Sequence, residues 1–221
     1  MNSIRNIFFD VGNTLLFPDW ERMLEPLHRR GVRPVPEQLA KWERLTKNEF
    51  DGVEHDGRQD HGFWFMFYKN LLGELGISDG GLHHQLVETI RISGNWRRIR
   101  PGTREILQEL AKQYGVAVIS NADGKIADVL GVCGIADCFQ TITDSGIVGH
   151  EKPHPVIFQE ALRSMKAEAA ESLYVGDVYS VDYTGATNAG MQAVVFDVCG
   201  AYKDKGVPRV AALGELLEML G

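Results

Sequence analysis

VAVISNADGKIADVLGVCGIADCFQTIT, residues 116 to 143, is the stretch that decides the fold. Val116 to Ile119 is a short, uninterrupted apolar run, the pattern of a strand buried on both faces. GKIADVLGVCG then follows with helical spacing, and FQTIT returns to a strand. A strand, a helix and a second strand in so few residues imply a right-handed crossover between parallel neighbours.

Outward from this unit the pattern repeats. Toward the N-terminus, TREILQELAKQY (103–114) is an amphipathic helix. Toward the C-terminus come HPVIFQEALRSM (helix), SLYVGD (strand), VDYTGATNAG (short helix), QAVVFDV (strand) and ALGELLEML (closing helix). Residues 4 to 9 form one more buried strand, ending at Asp10. The expectation is an α/β fold with a Rossmann-like doubly wound parallel sheet, helices covering both faces. Between the first strand and this array lie about eighty residues of another character. EQLAKWERLTKNEF, opened by Pro36, then FWFMFYKNLLGEL and LHHQLVETIRI read as helices. GVEHDGRQDHG between the first two reads as a loop. No β-rich run occurs there, so the insertion is expected to be all-helical. The predicted division is a core of residues 1–16 and 99–221 and an inserted helical cap domain of residues 17–98. GATNAG (185–190) is no dinucleotide fingerprint, since it does not follow the first strand; its glycines fit close packing and a helix end.

The 221 residues carry a formal net charge of −7 and 44% hydrophobic residues. That suits a soluble globular chain and argues against nucleic acid as a partner. No apolar run reaches the ~18 residues that span a bilayer. The apolar start is broken by Asp10 and Asn13 with no cleavage site after it, so neither a membrane anchor nor a signal peptide is expected. Three cysteines, Cys133, Cys138 and Cys199, suit a reducing cytoplasm and read as buried apolar thiols. As zinc ligands Cys133 and Cys138 would need His150 or His154.

Four polar points fall at strand or loop ends: Asp10 after IFF, Ser120 after VAVI, Lys152 in GHEKPHP and Asp177 after LYVG, with Asp182 close by. Strand ends along one edge of a parallel sheet converge on one crevice. Grouped carboxylates make a hard-oxygen site suited to magnesium. A lysine among them offsets charge and holds a phosphoryl oxygen. Ser120 and Asn121 offer donors to an oxyanion. Singly, each is ordinary turn or surface chemistry; their order along the chain gives them weight.

In order, FFDVGNTL (8–15), VISNAD (118–123), KPHPVIF (152–158) and VGDVYSVDYTGATNAGM (175–191) resemble the four motifs of the haloacid dehalogenase superfamily. The insertion resembles that family's smaller, helical cap. The resemblance implies a magnesium-dependent hydrolase, a phosphatase acting on a small phosphorylated metabolite. By it Asp10 is the nucleophile, Thr14 bonds near it, and Ser120 and Asn121 hold the phosphoryl group. Lys152 neutralises nucleophile and phosphate. Asp10, the Gly12 carbonyl, Asp177 and Asp182 hold magnesium, Asp182 directly or through water.

One position departs from the pattern. The family's phosphatases carry a second Asp two residues after the nucleophile, where this chain has Gly12. A glycine keeps the carbonyl for the metal but supplies no acid–base group, typically worth ~10²–10⁴ in rate. His55, Asp56, Asp60 and His61 of the cap loop are candidates to replace it, although a solvated charged loop is the plainer reading. Arg91, Arg97, Arg98, Arg100 and Arg104 read as an exposed hinge. Phe63, Trp64, Phe65, Phe67 and Tyr68 read as the cap's own core, part of it roofing the pocket. Two alternatives stay open: a dehalogenase cleaving carbon–halogen bonds, and a slow or non-catalytic binder of a phosphorylated ligand. Both late acids are kept, which favours a metal and a phosphate. Substrate identity and oligomeric state are not legible.

Overall fold

The computed structural model describes residues 3–53 and 62–221. Strand β1 (Asn6–Phe9) is central in a six-stranded sheet and pairs in parallel with β4 (Gly115–Ser120) on one side and β6 (Ser172–Gly176) on the other. Beyond β4 lies β5 (Thr141–Asp144). Beyond β6 lie β7 (Gln192–Phe196) and β8 (Arg209–Val210), and every neighbour pair is parallel.

Side chains alternate across the sheet, as strand geometry requires. Ile7 and Phe9 pack into one layer with Leu107 and Leu110 of α6 (Thr103–Leu110), Leu130 of α7 (Ile126–Val132) and Leu216 of α11 (Gly214–Leu220). Phe8 points the other way, onto Ile157 and Phe158 of α9 (Pro155–Met165) and Ala186 of α10 (Thr184–Asn188). A short α8 (Ser145–Val148) follows β5. The sheet is doubly wound, as the strand and helix periodicities predict. The chain leaves β1 for one side and later returns to its other side, so the crevice at the carboxyl ends of β1, β4 and β6 is a topological switch point. GATNAG serves packing: a Cβ on Gly185 would lie 2.8 Å from the Phe158 ring.

The inserted segment contains α1 (Trp20–Met23), α2 (Glu25–His28), α3 (Pro36–Phe50), α4 (Gly62–Glu74) and α5 (Gly80–Arg91). These bury a cluster of their own, including Met23, Leu27, Leu39, Phe67, Leu71, Leu86 and Ile90. The expectation of an all-helical insertion needs correction at its ends. There β2 (Leu16–Pro18) and β3 (Trp96–Ile99) pair as an antiparallel ribbon. Strands of three and four residues, one of them reading WRRI, are too short and too charged to show a period of two. The aromatic run divides as expected for Phe63, Phe67 and Tyr68, which are buried, and Trp64, which is half-buried; Phe65 is 52% exposed.

All three cysteines are free. Cys138 is buried, but Cys133 and Cys199 are only half-buried, because each lies where a helix or strand runs out into a loop. Among the described residues no helix is long and apolar enough to cross a membrane.

Candidate active site

The switch-point crevice is where the strand-end residues meet. Asp10 leaves β1 with its backbone N–H bonded to the Val175 carbonyl, so its side chain projects past the sheet edge. Ser120 ends β4, and Asp177 follows β6. Asp10, Ser120, Lys152, Asp177 and Asp182 are all buried, and all five line one cavity of about 180 Å³.

Lys152 is the hub. Its Nζ donates to Asp10 Oδ1 at 2.6 Å, to the Tyr174 hydroxyl at 2.7 Å and to Asp182 Oδ1 at 2.8 Å. Three acceptors use all three ammonium donors. Burial pulls this ammonium toward neutrality, but Asp10 and Asp182 outweigh it and hold the group above the ordinary lysine value. The loop carrying Lys152 is fixed by Asn121. Its Nδ2 donates to the Lys152 carbonyl at 3.1 Å, and its Oδ1 accepts the Lys152 N–H at 2.7 Å. The Asn121 side chain is tied to the Lys152 backbone through its oxygen and one of its two amide N–H donors, and the residue lines the cavity.

Asp182 is committed as well. Oδ1 accepts from Lys152 and from the Tyr174 hydroxyl at 3.0 Å, and Oδ2 accepts the Val178 N–H at 2.9 Å. It comes this close because residue 176 is glycine: a Cβ there would stand 2.5 Å from Asp182 Cγ. Thr14 Oγ1 lies 3.5 Å from Asp10 Oδ2, at the outer limit of a hydrogen bond.

Carboxylate oxygens of Asp10, Asp177 and Asp182 lie within 4.8 Å of one another, and they are the group among the described residues placed to share a metal ion. Burial pushes the Asp10 carboxyl up to about 7, with Lys152 opposing and Asp182 and Asp177 adding to the rise. Burial likewise pushes Asp177 up to about 6, against the pull of Lys47. With all three ionised, these carboxylates exceed the charge of the Lys152 ammonium by two, the complement of one divalent cation. An all-oxygen acidic set is the donor chemistry magnesium takes. By contrast, His150 and His154 stack on each other at 4.2 Å and belong to no such group with Cys133 or Cys138.

Family-model matching covers residues 4–190 with the haloacid dehalogenase-like hydrolases. The chain belongs to that family. Among relatives of this hydrolase, the glyceraldehyde 3-phosphate phosphatase of Pyrococcus furiosus is 31% identical, covering 100% of this chain and 94% of the relative. The HAD-hydrolase YfnB of Bacillus subtilis, solved bound to magnesium, superposes with a TM-score of 0.73 at 18% identity, over 100% of both chains. The 2-haloacid dehalogenase of Pseudomonas syringae superposes with a TM-score of 0.60 at 25% identity, over 98% of both.

Three residues of the hydrolase site lie outside the sequence expectation. Tyr174, in β6, is fully buried and bonds both Lys152 and Asp182. Burial foremost, then the Asp182 and Asp10 carboxylates, raise its hydroxyl well above the ordinary tyrosine value. Lys47 of α3 is fully buried, with Nζ 2.7 Å from Asp177 Oδ2 and 3.1 Å from Glu43 Oε1. These are ion pairs by proximity, and neither has the geometry of a hydrogen bond. Burial lowers this ammonium, but Asp177 and Glu43 hold it well above the ordinary value. Trp96, in β3, covers Gly12. A Cβ at Gly12 would meet the indole Cζ3 at 3.4 Å, and the ring is fixed by its Nε1 donating to the Ile90 carbonyl at 3.0 Å. The place of the missing acid–base side chain is thus walled by an indole. Of the hinge arginines, Arg91 lines the cavity while Arg98 and Arg104 pair with Asp19 and Asp137. His55, Asp56, Asp60 and His61 lie outside the described residues.

Proposed function

We propose that the protein is a magnesium-dependent phosphatase of small phosphorylated metabolites, working through an aspartyl-phosphate on Asp10. We assign residues 17–98 as a cap over a core of residues 1–16 and 99–221, and the cytoplasm as the place of work. The observation that carries the reading is the convergence of Asp10, Asp177 and Asp182 on one another in a cavity, with Lys152 bonded to Asp10 and Asp182.

Asp10 Oδ1 is held by Lys152, while Oδ2 has only the long Thr14 contact among the described residues; Oδ2 is therefore the attacking oxygen. It bonds to phosphorus as the ester oxygen leaves with its electron pair, giving an acyl phosphate on Asp10 and the free leaving group. Water then attacks phosphorus, and the carboxylate leaves with inorganic phosphate as product. Lys152 and Ser120 line the cavity, where the Ser120 hydroxyl receives a phosphoryl oxygen and the Lys152 ammonium does so by exchanging one of its three present acceptors for it. Asp10, the Gly12 carbonyl and Asp177 would hold magnesium, with Asp182 reaching it through water because its oxygens are engaged. The bound ion supplies charge neutralisation that lets an anionic phosphate approach a carboxylate.

No group at position 12 protonates the leaving oxygen or activates water. Leaving groups that depart unprotonated are favoured, and breakdown of the acyl phosphate is the slow step. The same feature suits halide, which leaves without a proton, so a dehalogenase is the second reading. One assay set separates them. Phosphate release from para-nitrophenyl phosphate is measured for wild type and Asp10→Asn, with magnesium and with chelator, beside halide release from 2-haloacids. Phosphate release that requires both Asp10 and magnesium is the expected result. Undiminished activity in Asp10→Asn rules out the covalent route, and halide release without phosphate release installs the second reading.

A further inference from the structure

Lys47 has no part in the chemistry just derived, yet its surroundings are unusual. A fully buried ammonium is rare and tolerated only with charged partners. Its partner across the gap between α3 and the core is Asp177, one of the three converging carboxylates. The same helix end grips the same core segment again one turn on. Asp51 Oδ1 accepts the Ser180 N–H at 3.0 Å, and Asp51 Oδ2 lies 3.2 Å from Lys205 Nζ. Helix α3 is thus clasped onto residues 177–180 at two points, and one of those points is a carboxylate of the acidic set.

The charges show what the clasp does. Asp10, Asp177 and Asp182, all ionised, exceed the charge of Lys152 by two. Lys47 arrives with Glu43 3.1 Å away, so the cap's pair adds no net charge. What the cap changes is position: it sets an ammonium directly against Asp177 Oδ2. A divalent ion on Asp177 would stand within a few ångströms of that ammonium, and two cations at such a separation repel strongly in a water-poor site.

We infer that Lys47 is a tethered counter-cation that competes with the divalent ion for Asp177, so that metal binding and the α3 clasp oppose each other. The inference rests on the metal reading of the carboxylate cluster. Linkage makes the opposition reciprocal: whatever the clasp costs the metal, the metal costs the clasp by the same factor. Metal loading therefore loosens α3 from the segment after β6, and a clasped, metal-free enzyme is held shut by its own lysine.

Two measurements decide it, with magnesium alone as ligand. Calorimetric titration compares wild type, Lys47→Met and Lys47→Arg. Lys47→Met, of similar length but uncharged, is expected to bind magnesium at least about tenfold tighter; Lys47→Arg, which keeps the charge, should stay near wild type. Hydrogen exchange of wild type, with and without magnesium, reads the amides of residues 47–51, which should exchange faster with the ion bound. Equal or weaker binding by Lys47→Met overturns the clasp while leaving Asp177 a metal ligand. Absence of binding to both forms overturns the metal reading as well. Should Lys47→Met fail to fold, the wild-type exchange decides alone: unchanged or slower exchange at 47–51 overturns the inference.

Discussion

Restoring the absent carboxyl by Gly12→Asp tests whether an acid–base catalyst can be put back. The expected gain is large, since such a group typically contributes ~10²–10⁴ in rate, or about 2.7–5.4 kcal/mol. The structure opposes it. A Cβ at position 12 fits, because 3.4 Å to Trp96 Cζ3 and 3.6 Å to Cε3 and Cη2 are ordinary contacts. The carboxyl carbon stands one bond further out, and toward the ring no room remains. Either the side chain turns away from the cavity or the indole moves. Moving the indole breaks its bond to the Ile90 carbonyl and its edge-on packing with Trp64 at 5.3 Å. Overpacking typically costs about 1–3 kcal/mol and a net hydrogen bond about 1 kcal/mol, which together offset most of the gain. Gly12→Asp alone should therefore speed breakdown of the acyl phosphate by less than about tenfold, whereas Gly12→Asp with Trp96→Leu should speed it by about 10² or more. Rapid-quench kinetics with acetyl phosphate, following the slow phase after the burst, completes a double-mutant cycle with Trp96→Leu as the fourth corner. If Gly12→Asp alone matches the double variant, the indole is no obstacle. If wild type shows no burst and turns over alkyl phosphates briskly, the acid–base group comes from elsewhere, and His55, Asp56, Asp60 and His61 become the residues to replace.

Three further outcomes follow from the site. Gly176→Ala drives a methyl into Asp182, 2.5 Å away, and should cost at least about 2 kcal/mol of stability in urea unfolding and most of the activity; wild-type behaviour would mean Asp182 is free to move. Lys152→Met leaves Asp10 and Asp182 without their shared cation and should destabilise by about 3–5 kcal/mol while abolishing turnover, both readable by thermal melts and the para-nitrophenyl phosphate assay. For pH, burial raises the Asp10 carboxyl to about 7 from an unfolded value near 3.8, so the folded protein holds the proton more tightly. Its contribution is complete below about pH 4 and is lost as pH rises through 7. Metal-free wild type should then lose melting temperature relative to Asp10→Asn between pH 4.5 and 7.5, and equal slopes for the two would refute it.

The periodicities of residues 103–220 were enough to place β4, β5, β6 and β7 and the longer helices between them, because buried parallel strands are continuous apolar runs and those helices are amphipathic, whereas the two-residue β8 and the four-residue α8 are too short to carry either signal. The ribbon of β2 and β3 escaped because tertiary position makes it a pair of strands; propensity in WRRI and LFP does not. Asp10, Ser120, Lys152, Asp177 and Asp182 were legible because strand ends converge. Lys47 was not, since a helical lysine is by default solvated and its burial is decided by an aspartate 130 positions away. A faint sign existed: Glu43 and Lys47 interrupt the stripe that runs through Leu39, Thr46 and Phe50. Tyr174 was hidden in a run where every residue is buried, so nothing marked its hydroxyl as the polar exception. Trp96 belongs to the site only because the chain returns from its insertion across Gly12.

That return has a mechanical side. The outgoing and incoming connections of the insertion lie against each other, Leu16 opposite Ile99 and Phe17 opposite Arg98. Two tethers bonded edge to edge flex as one leaf and resist shearing past each other. A body hung on such a leaf swings about a single line, and twisting it would tear the ribbon's hydrogen bonds. Trp96 sits on that leaf, so any swing of the helical body about the ribbon would move its indole less than it moves Lys47, which is carried on α3 outside the ribbon.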